Sequence, residues 1–145
     1  MKKLCVAFIV AFIACVSALL AKDTGEKMQI QLSFDDEKII IALEDNPATR
    51  DFYALLPLKL RFSDYVGKEK ISPELPKRLN IKGLSGYEPE VGDLFYFSPW
   101  GNLGIFYAKQ PFHSGLVKFG KIKAKDLAKI RAKNSDFMVE FSKIN

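Results

Sequence analysis

Few residues in this chain have the type and spacing to do chemistry. The single histidine, His113, stands beside Ser114. Adjacency is not a triad, because a base must reach its nucleophile across space and be oriented by a third group. His113-Ser114-Gly115 reads instead as a turn ahead of a strand. One histidine supplies no multi-histidine metal site. The sequence holds no phosphate-cradling glycine loop, no paired-histidine metal signature and no Gly-x-Ser-x-Gly elbow. Asp35, Asp36, Asp45 and Asp51 are scattered over turns and a helix, and Asp93 reads as closing the turn after Gly92. Arg50 and Asp51 are neighbours on one helix, where an exposed pair contributes little; Arg50 is kept as a candidate anion anchor. These residues give no catalytic assignment, no metal and no cofactor.

The informative chemistry is aromatic. Residues 92–107 hold Phe95, Tyr96, Phe97, Trp100, Phe106 and Tyr107, including the only tryptophan, in two strand-like runs joined by Pro99-Trp100-Gly101-Asn102. Both runs are apolar on both faces, whereas a strand needs only one apolar face to sit on a core. With Leu94, Tyr96 and Ser98 on one side, Phe95, Phe97 and Pro99 take the other. One set fills a core, and the second face must be covered or line a pocket. The Tyr96 hydroxyl, Trp100 at the turn and Asn102 suit a pocket rim better than a dry core. Tyr96, Trp100, Asn102 and Phe106 are therefore the expected ligand contacts, with Arg50 and Tyr65 as further candidates. Aromatic walls carrying a few polar groups are what small-ligand and peptide sites use.

The elements that must position these residues are short. Met28, Ile30, Leu32 and Phe34 alternate with polar residues, Asp35-Asp36-Glu37 forms a turn, and Lys38 to Leu43 is a second β-branched run, which together predict a hairpin. Asn46-Pro47 opens a helix, with Asn46 as cap, Pro47 in its first turn and Phe52, Leu55 and Leu56 on one face. Pro57 ends it, and Leu58, Leu60 and Phe62 give a half-buried strand. Residues 72–90, with three prolines and two glycines, read as a long irregular loop, a kind of segment that is usually functional when ordered. Leu116 to Ile122 is a strand in which Gly120 marks a bulge or a close approach. Lys123 to Lys133 is a basic helix with Leu127 and Ile130 inward, and Phe137, Val139 and Phe141 alternate as a last strand. Seven or eight short strands with peripheral helices predict an all-β barrel.

The N-terminus reads as an export signal: Lys2 and Lys3, an apolar run from Leu4 to Ala14, then small residues to Ala21. Residues 1–21 are expected to be a cleavable signal peptide, 22–27 a polar linker and 28–145 the domain. Phe12-Ile13-Ala14-Cys15 is an imperfect lipoprotein box, so lipidation at Cys15 is the alternative processing. Both cysteines, Cys5 and Cys15, lie in the signal; cleaved after it, the mature chain has no disulfide and no thiol. The whole chain carries +5, and loss of Lys2 and Lys3 leaves +3. That charge is mildly basic and no nucleic-acid footprint. The densest cluster, Lys118 to Lys133, reads as a solvated face, with weak contact to an anionic membrane surface through helix 123–133 as the functional alternative. Aromatics are not interleaved with it, which argues against single-stranded nucleic acid.

The segments Leu43-Glu44-Asp45-Asn46-Pro47-Ala48-Thr49-Arg50-Asp51-Phe52, Leu55-Leu56-Pro57-Leu58, Asp64-Tyr65, Glu69-Lys70-Ile71, Gly86-Tyr87-Glu88-Pro89, Gly92-Asp93, Pro99-Trp100-Gly101-Asn102-Leu103-Gly104-Ile105-Phe106-Tyr107 and Ser114-Gly115-Leu116-Val117 resemble a bacterial and archaeal family of cyclophilin-like proteins. The match runs from about Met28 to Phe141. The resemblance implies a small closed β-barrel of about eight strands with one or two short helices at its ends. Similar proteins include cytoplasmic and exported forms, lipoproteins among them. It implies no established activity: prolyl isomerisation in true cyclophilins relies on an arginine, a glutamine and aromatics in set strands, the resemblance assigns that arginine to no residue of this sequence, and His113 stands where related sequences often have an aromatic residue. The resulting expectation is an exported, non-enzymatic domain that binds a small molecule or peptide segment. A periplasmic prolyl-isomerase-like enzyme and a structural partner in an envelope assembly are the alternatives.

Overall fold

The computed structural model describes residues 27–145; the expected signal peptide, Cys15 and most of the expected linker lie outside them. Strands β1 (Gln29–Phe34) and β2 (Glu37–Ala42) pair antiparallel around the two-residue turn Asp35-Asp36. Helix α1 (Pro47–Leu55) follows. Its start is a reciprocal cap: the Thr49 amide donates to Asn46 Oδ1 at 2.9 Å and the Asn46 amide donates to Thr49 Oγ1 at 3.0 Å. A cis Leu56-Pro57 bond leads into β3 (Leu58–Tyr65), which turns at Val66-Gly67 into β4 (Glu69–Glu74). The aromatic run forms β5 (Asp93–Phe97) and β6 (Asn102–Phe106). Strand β7 (Leu116–Lys121), helix α2 (Ala124–Arg131) and β8 (Phe137–Lys143) complete the chain.

The strands form one antiparallel sheet in the order β2-β1-β8-β3-β4-β6-β5-β7. Its two edges curl toward each other. The Glu44 amide donates to the Phe119 carbonyl at 2.8 Å, and Asn46 Nδ2 donates to the Lys118 carbonyl at 3.3 Å. Gly120 makes this approach feasible: a Cβ there would lie 2.7 Å from the Ala42 carbonyl oxygen. The ladder between β5 and β7 also shifts register beside it, so Gly120 marks both a bulge and a close approach. The result is a nearly closed eight-stranded barrel with two short helices.

Alternate residues of each strand fill the interior. Ile30, Leu32, Phe62, Leu103, Ile105 and Phe141 are among the side chains sealed there. Phe52 of α1 plugs one end, with its ring centroid 5.3 Å from Phe119 and 5.7 Å from Phe141. Leu127 and Ile130 of α2 also join this core.

Strand β4 is where the expected loop differs. Its sequence, Glu-Lys-Ile-Ser-Pro-Glu, lacks apolar alternation because the inward positions are Lys70 and Ser72. Lys70 is only 3% exposed; its ammonium donates to the Lys133 carbonyl at 2.6 Å and lies 3.2 Å from Asp64 Oδ1. Ser72 sits at the register shift between β4 and β6. Its Oγ accepts from the Leu103 amide at 3.0 Å, supplying the acceptor that the broken ladder lacks. The rest of the expected loop, 75–90, is irregular and well packed. Leu75 and Leu79 enter the core, the Asn80 amide donates to Asp51 Oδ2 at 2.8 Å, and Tyr87 bridges to His113.

Candidate functional site

The second apolar face of the aromatic run lies on the outside of the barrel. Phe95, Phe106 and Leu116 form a separate small cluster there, with Ile71, Tyr87 and Phe97 packed on it. The Phe95 and Phe106 rings stack at 4.0 Å, 17° from parallel. Gly104 makes room for this pair. It lies directly opposite Phe95 on the neighbouring strand, and a Cβ there would come 2.1 Å from the Phe95 ring. Phe95 therefore lies flat over β6 and floors a cavity of about 280 Å³.

The cavity walls come from three places. The hairpin tip supplies Phe97 and Trp100, and the end of β3 supplies Tyr65. Trp100 meets Tyr65 at 5.6 Å and Phe97 at 5.4 Å, both nearly perpendicular. The segment Gln110-Pro111-Phe112-His113 forms the opposite bank. His113 meets Phe97 edge-on at 5.0 Å, and its Nδ1 accepts from the Gly115 amide at 2.9 Å. The tip itself is braced by the long loop: Arg78 donates to the Ser98 carbonyl at 2.7 Å and pairs with Glu74 at 2.9 Å. Its guanidinium lies where a side chain on Gly101, which has φ +65°, would go.

Two polar groups in the wall are short of partners. Asn102 Nδ2 donates to the Ser72 carbonyl at 3.1 Å, which fixes the amide's orientation, and its Oδ1 is buried with no donor. Glu69, the first residue of β4, faces the cavity beside Ile71. Burial pushes its carboxyl up to about 7. Lys70 does not relieve it, because neighbouring strand residues point to opposite faces and the Lys70 ammonium is held by Asp64 and the Lys133 carbonyl. The Asp64 carboxyl is held below the ordinary carboxylate range by the Tyr107 hydroxyl, and further by the Gly67 amide and Lys70.

The expected contacts divide. Trp100, Asn102, Phe106 and Tyr65 line the cavity. Tyr96 does not: it is 1% exposed and faces the barrel interior, where its hydroxyl accepts from the Leu79 amide at 3.2 Å. That loop amide satisfies the polar atom that made Tyr96 look like a rim residue. Arg50 is also elsewhere, ion-paired with Asp45 on the surface of α1. Sequence reasoning missed Glu69 and gave His113 only a turn role. The position of Glu69 next to the Tyr65 corner was the one available signal, and it depended on recognising β4. The basic cluster is largely neutralised within the chain: Lys118, Lys121, Lys129 and Lys133 lie within ion-pair reach of Asp93, Glu90, Glu37 and Asp35 respectively.

An eight-stranded antiparallel barrel capped by a helix, with an aromatic pocket on its outer face, defines a small cyclophilin-type β-barrel. The chain belongs to the Cyclophilin-like family, whose model matches residues 32–142. Among solved structures it is similar to the hypothetical protein AF2241 from Archaeoglobus fulgidus, determined in solution. That likeness has a TM-score of 0.59 at 16% identity and covers 81% of this chain and 95% of that one. It is also similar to part of McbB, solved in complex with tryptophan, with a TM-score of 0.50 at 12% identity over 79% of this chain and 44% of McbB. At these identities the likenesses show the fold. No curated protein matches the chain.

Proposed function

We propose that this protein is an exported, non-enzymatic binding domain whose outer aromatic pocket takes a small molecule or peptide segment. The observation that carries the reading is the cavity itself. Trp100 stays 48% exposed and Phe112 57% exposed on its two banks, while its floor is an apolar stack of Phe95 and Phe106. Apolar rings held open to solvent by a rigid scaffold gain free energy when a ligand covers them. Export rests on the order of charge, apolar run and small residues in 1–21. Lipidation at Cys15 is the alternative route to the same compartment, and mass spectrometry of the mature N-terminus separates the two.

Titration of the purified protein, followed through Trp100 as sole tryptophan, tests the binding reading against panels of metabolites and Xaa-Pro peptides. A saturable shift, with binding lost in Trp100→Ala when measured by isothermal titration calorimetry, supports it. The absence of a response to every compound overturns it. Glu69 favours one further reading, a prolyl-isomerase-like enzyme. A carboxyl that still holds its proton near neutrality is poised as a donor, although neither Arg50 nor Arg61 lines the pocket. Measurable turnover of an Xaa-Pro peptide that disappears in Glu69→Gln decides for it. Weak contact with an anionic membrane would rest on Lys123, Lys125 and Arg131, and salt-sensitive sedimentation with anionic vesicles tests it.

A further inference from the structure

We infer that the ligand of this pocket is a small alkylammonium compound, whose cationic nitrogen sits among the aromatic walls beside the Glu69 carboxylate. The inference rests on the binding reading above and narrows it. Trp100 stands nearly perpendicular to both Tyr65 and Phe97, with centroids 5.6 and 5.4 Å away. All three rings line the cavity, giving it an aromatic wall. Aromatic walls of this kind attract cations through the negative faces of the rings.

The polar atoms point to the same chemistry. Every acceptor buried in a protein needs a donor, and Asn102 Oδ1 is buried in this wall without one. Beside it, the half-buried Glu69 carboxyl faces the cavity and makes no ion pair among the described residues. The raised Glu69 carboxyl has burial as its cause; a cation delivered by the ligand would supply the missing counter-charge. An anionic ligand would instead meet Glu69 as a like charge. A neutral apolar ligand would leave the carboxylate buried and unpaired, which is costly. The cavity, at about 280 Å³, lies at the small end of ligand pockets and fits a head-group-sized compound. The groups around Glu69 that carry or can take charge are Tyr65 on β3, Lys68 in the turn, Lys70 on the other face of β4, Tyr107 after β6 and His113 on the opposite bank. Of these Tyr65 and His113 line the cavity, so a histidine variant belongs in the test.

The experiment compares choline with its uncharged carbon isostere, dimethylbutanol. It follows Trp100 fluorescence of the purified protein above the Glu69 titration, at pH about 8.5. The expected result is a saturable shift with choline, at least about tenfold weaker with dimethylbutanol and in Glu69→Gln. Affinity should be retained in Glu69→Asp, and His113→Asn should keep the preference for choline over dimethylbutanol whatever its effect on affinity. Equal affinity for the two compounds, or no loss in Glu69→Gln, overturns the cation assignment and leaves the pocket as an apolar site. Binding of some uncharged metabolite with no response to choline does the same. Silence toward every compound, choline included, overturns the binding reading together with it. Tighter binding of a lysine-containing peptide than of free alkylamines would overturn the small-molecule source. Circular dichroism of each variant excludes unfolding as the cause of lost binding.

Discussion

Glu69 gives the sharpest test at the level of single residues. Its carboxyl is raised from 4.5 to about 7 in the fold. Between those values the folded chain keeps a proton that the unfolded chain has lost, so for this group stability falls as pH rises from about 4.5 to 7 and is flat above. Glu69→Gln should remove that slope. Discounting the shift for partial exposure, the variant should be more stable than the parent by about 1 kcal/mol above neutrality and equal to it in mild acid. Denaturant melts across this range measure both. Tyr96 and Trp100 make a contrasting pair. Tyr96→Phe leaves the Leu79 amide buried without its acceptor and should cost about 1–3 kcal/mol. Trp100→Ala, at an exposed tip, should abolish binding and leave the melting temperature little changed.

Among the elements, the aromatic hairpin depends on a trade of volume across one strand pair. A methyl at Gly104 would strike the Phe95 ring. Gly104→Ala should therefore push Phe95 off Phe106, destabilise the fold by about 1–3 kcal/mol and eliminate ligand-induced fluorescence change. Most elements were legible because they are amphipathic: the β1–β2 alternation, the Asn46-Pro47 cap and the Leu127 and Ile130 spacing each name their own buried face. Strand β4 was not legible, since its inward residues, Lys70 and Ser72, are polar and are satisfied by partners distant in sequence. With β4 unread, Glu69 could not be placed on the pocket wall. Tyr96 and Phe95 were equally aromatic on paper. Strand alternation split them correctly into two sets, but which set met the core depended on tertiary packing, where the Tyr96 hydroxyl pairs with the Leu79 amide of a loop with no periodicity to read.

For the molecule as a whole, the barrel is continuous except at the seam between β2 and β7. There, the main-chain bond from Glu44 to Phe119 and the side-chain bond from Asn46 to Lys118 stand in for a full ladder. Local opening follows the least-bonded boundary, so hydrogen exchange should be fastest along the outer sides of β2 and β7 and slowest in β1, β5 and β8. Gly120→Ala, whose Cβ meets the Ala42 carbonyl, should accelerate exchange at the seam first. The alternation of the strands also has an evolutionary consequence. In β5 the core is written in Leu94 and Tyr96 and the pocket in Phe95 and Phe97; in β6 Leu103 and Ile105 belong to the core, and Asn102, Gly104 and Phe106 to the outer face. Two messages are thus interleaved codon by codon in one stretch of gene. Selection can rewrite every second codon, and with it what the protein recognises, while the intervening ones continue to specify the same barrel.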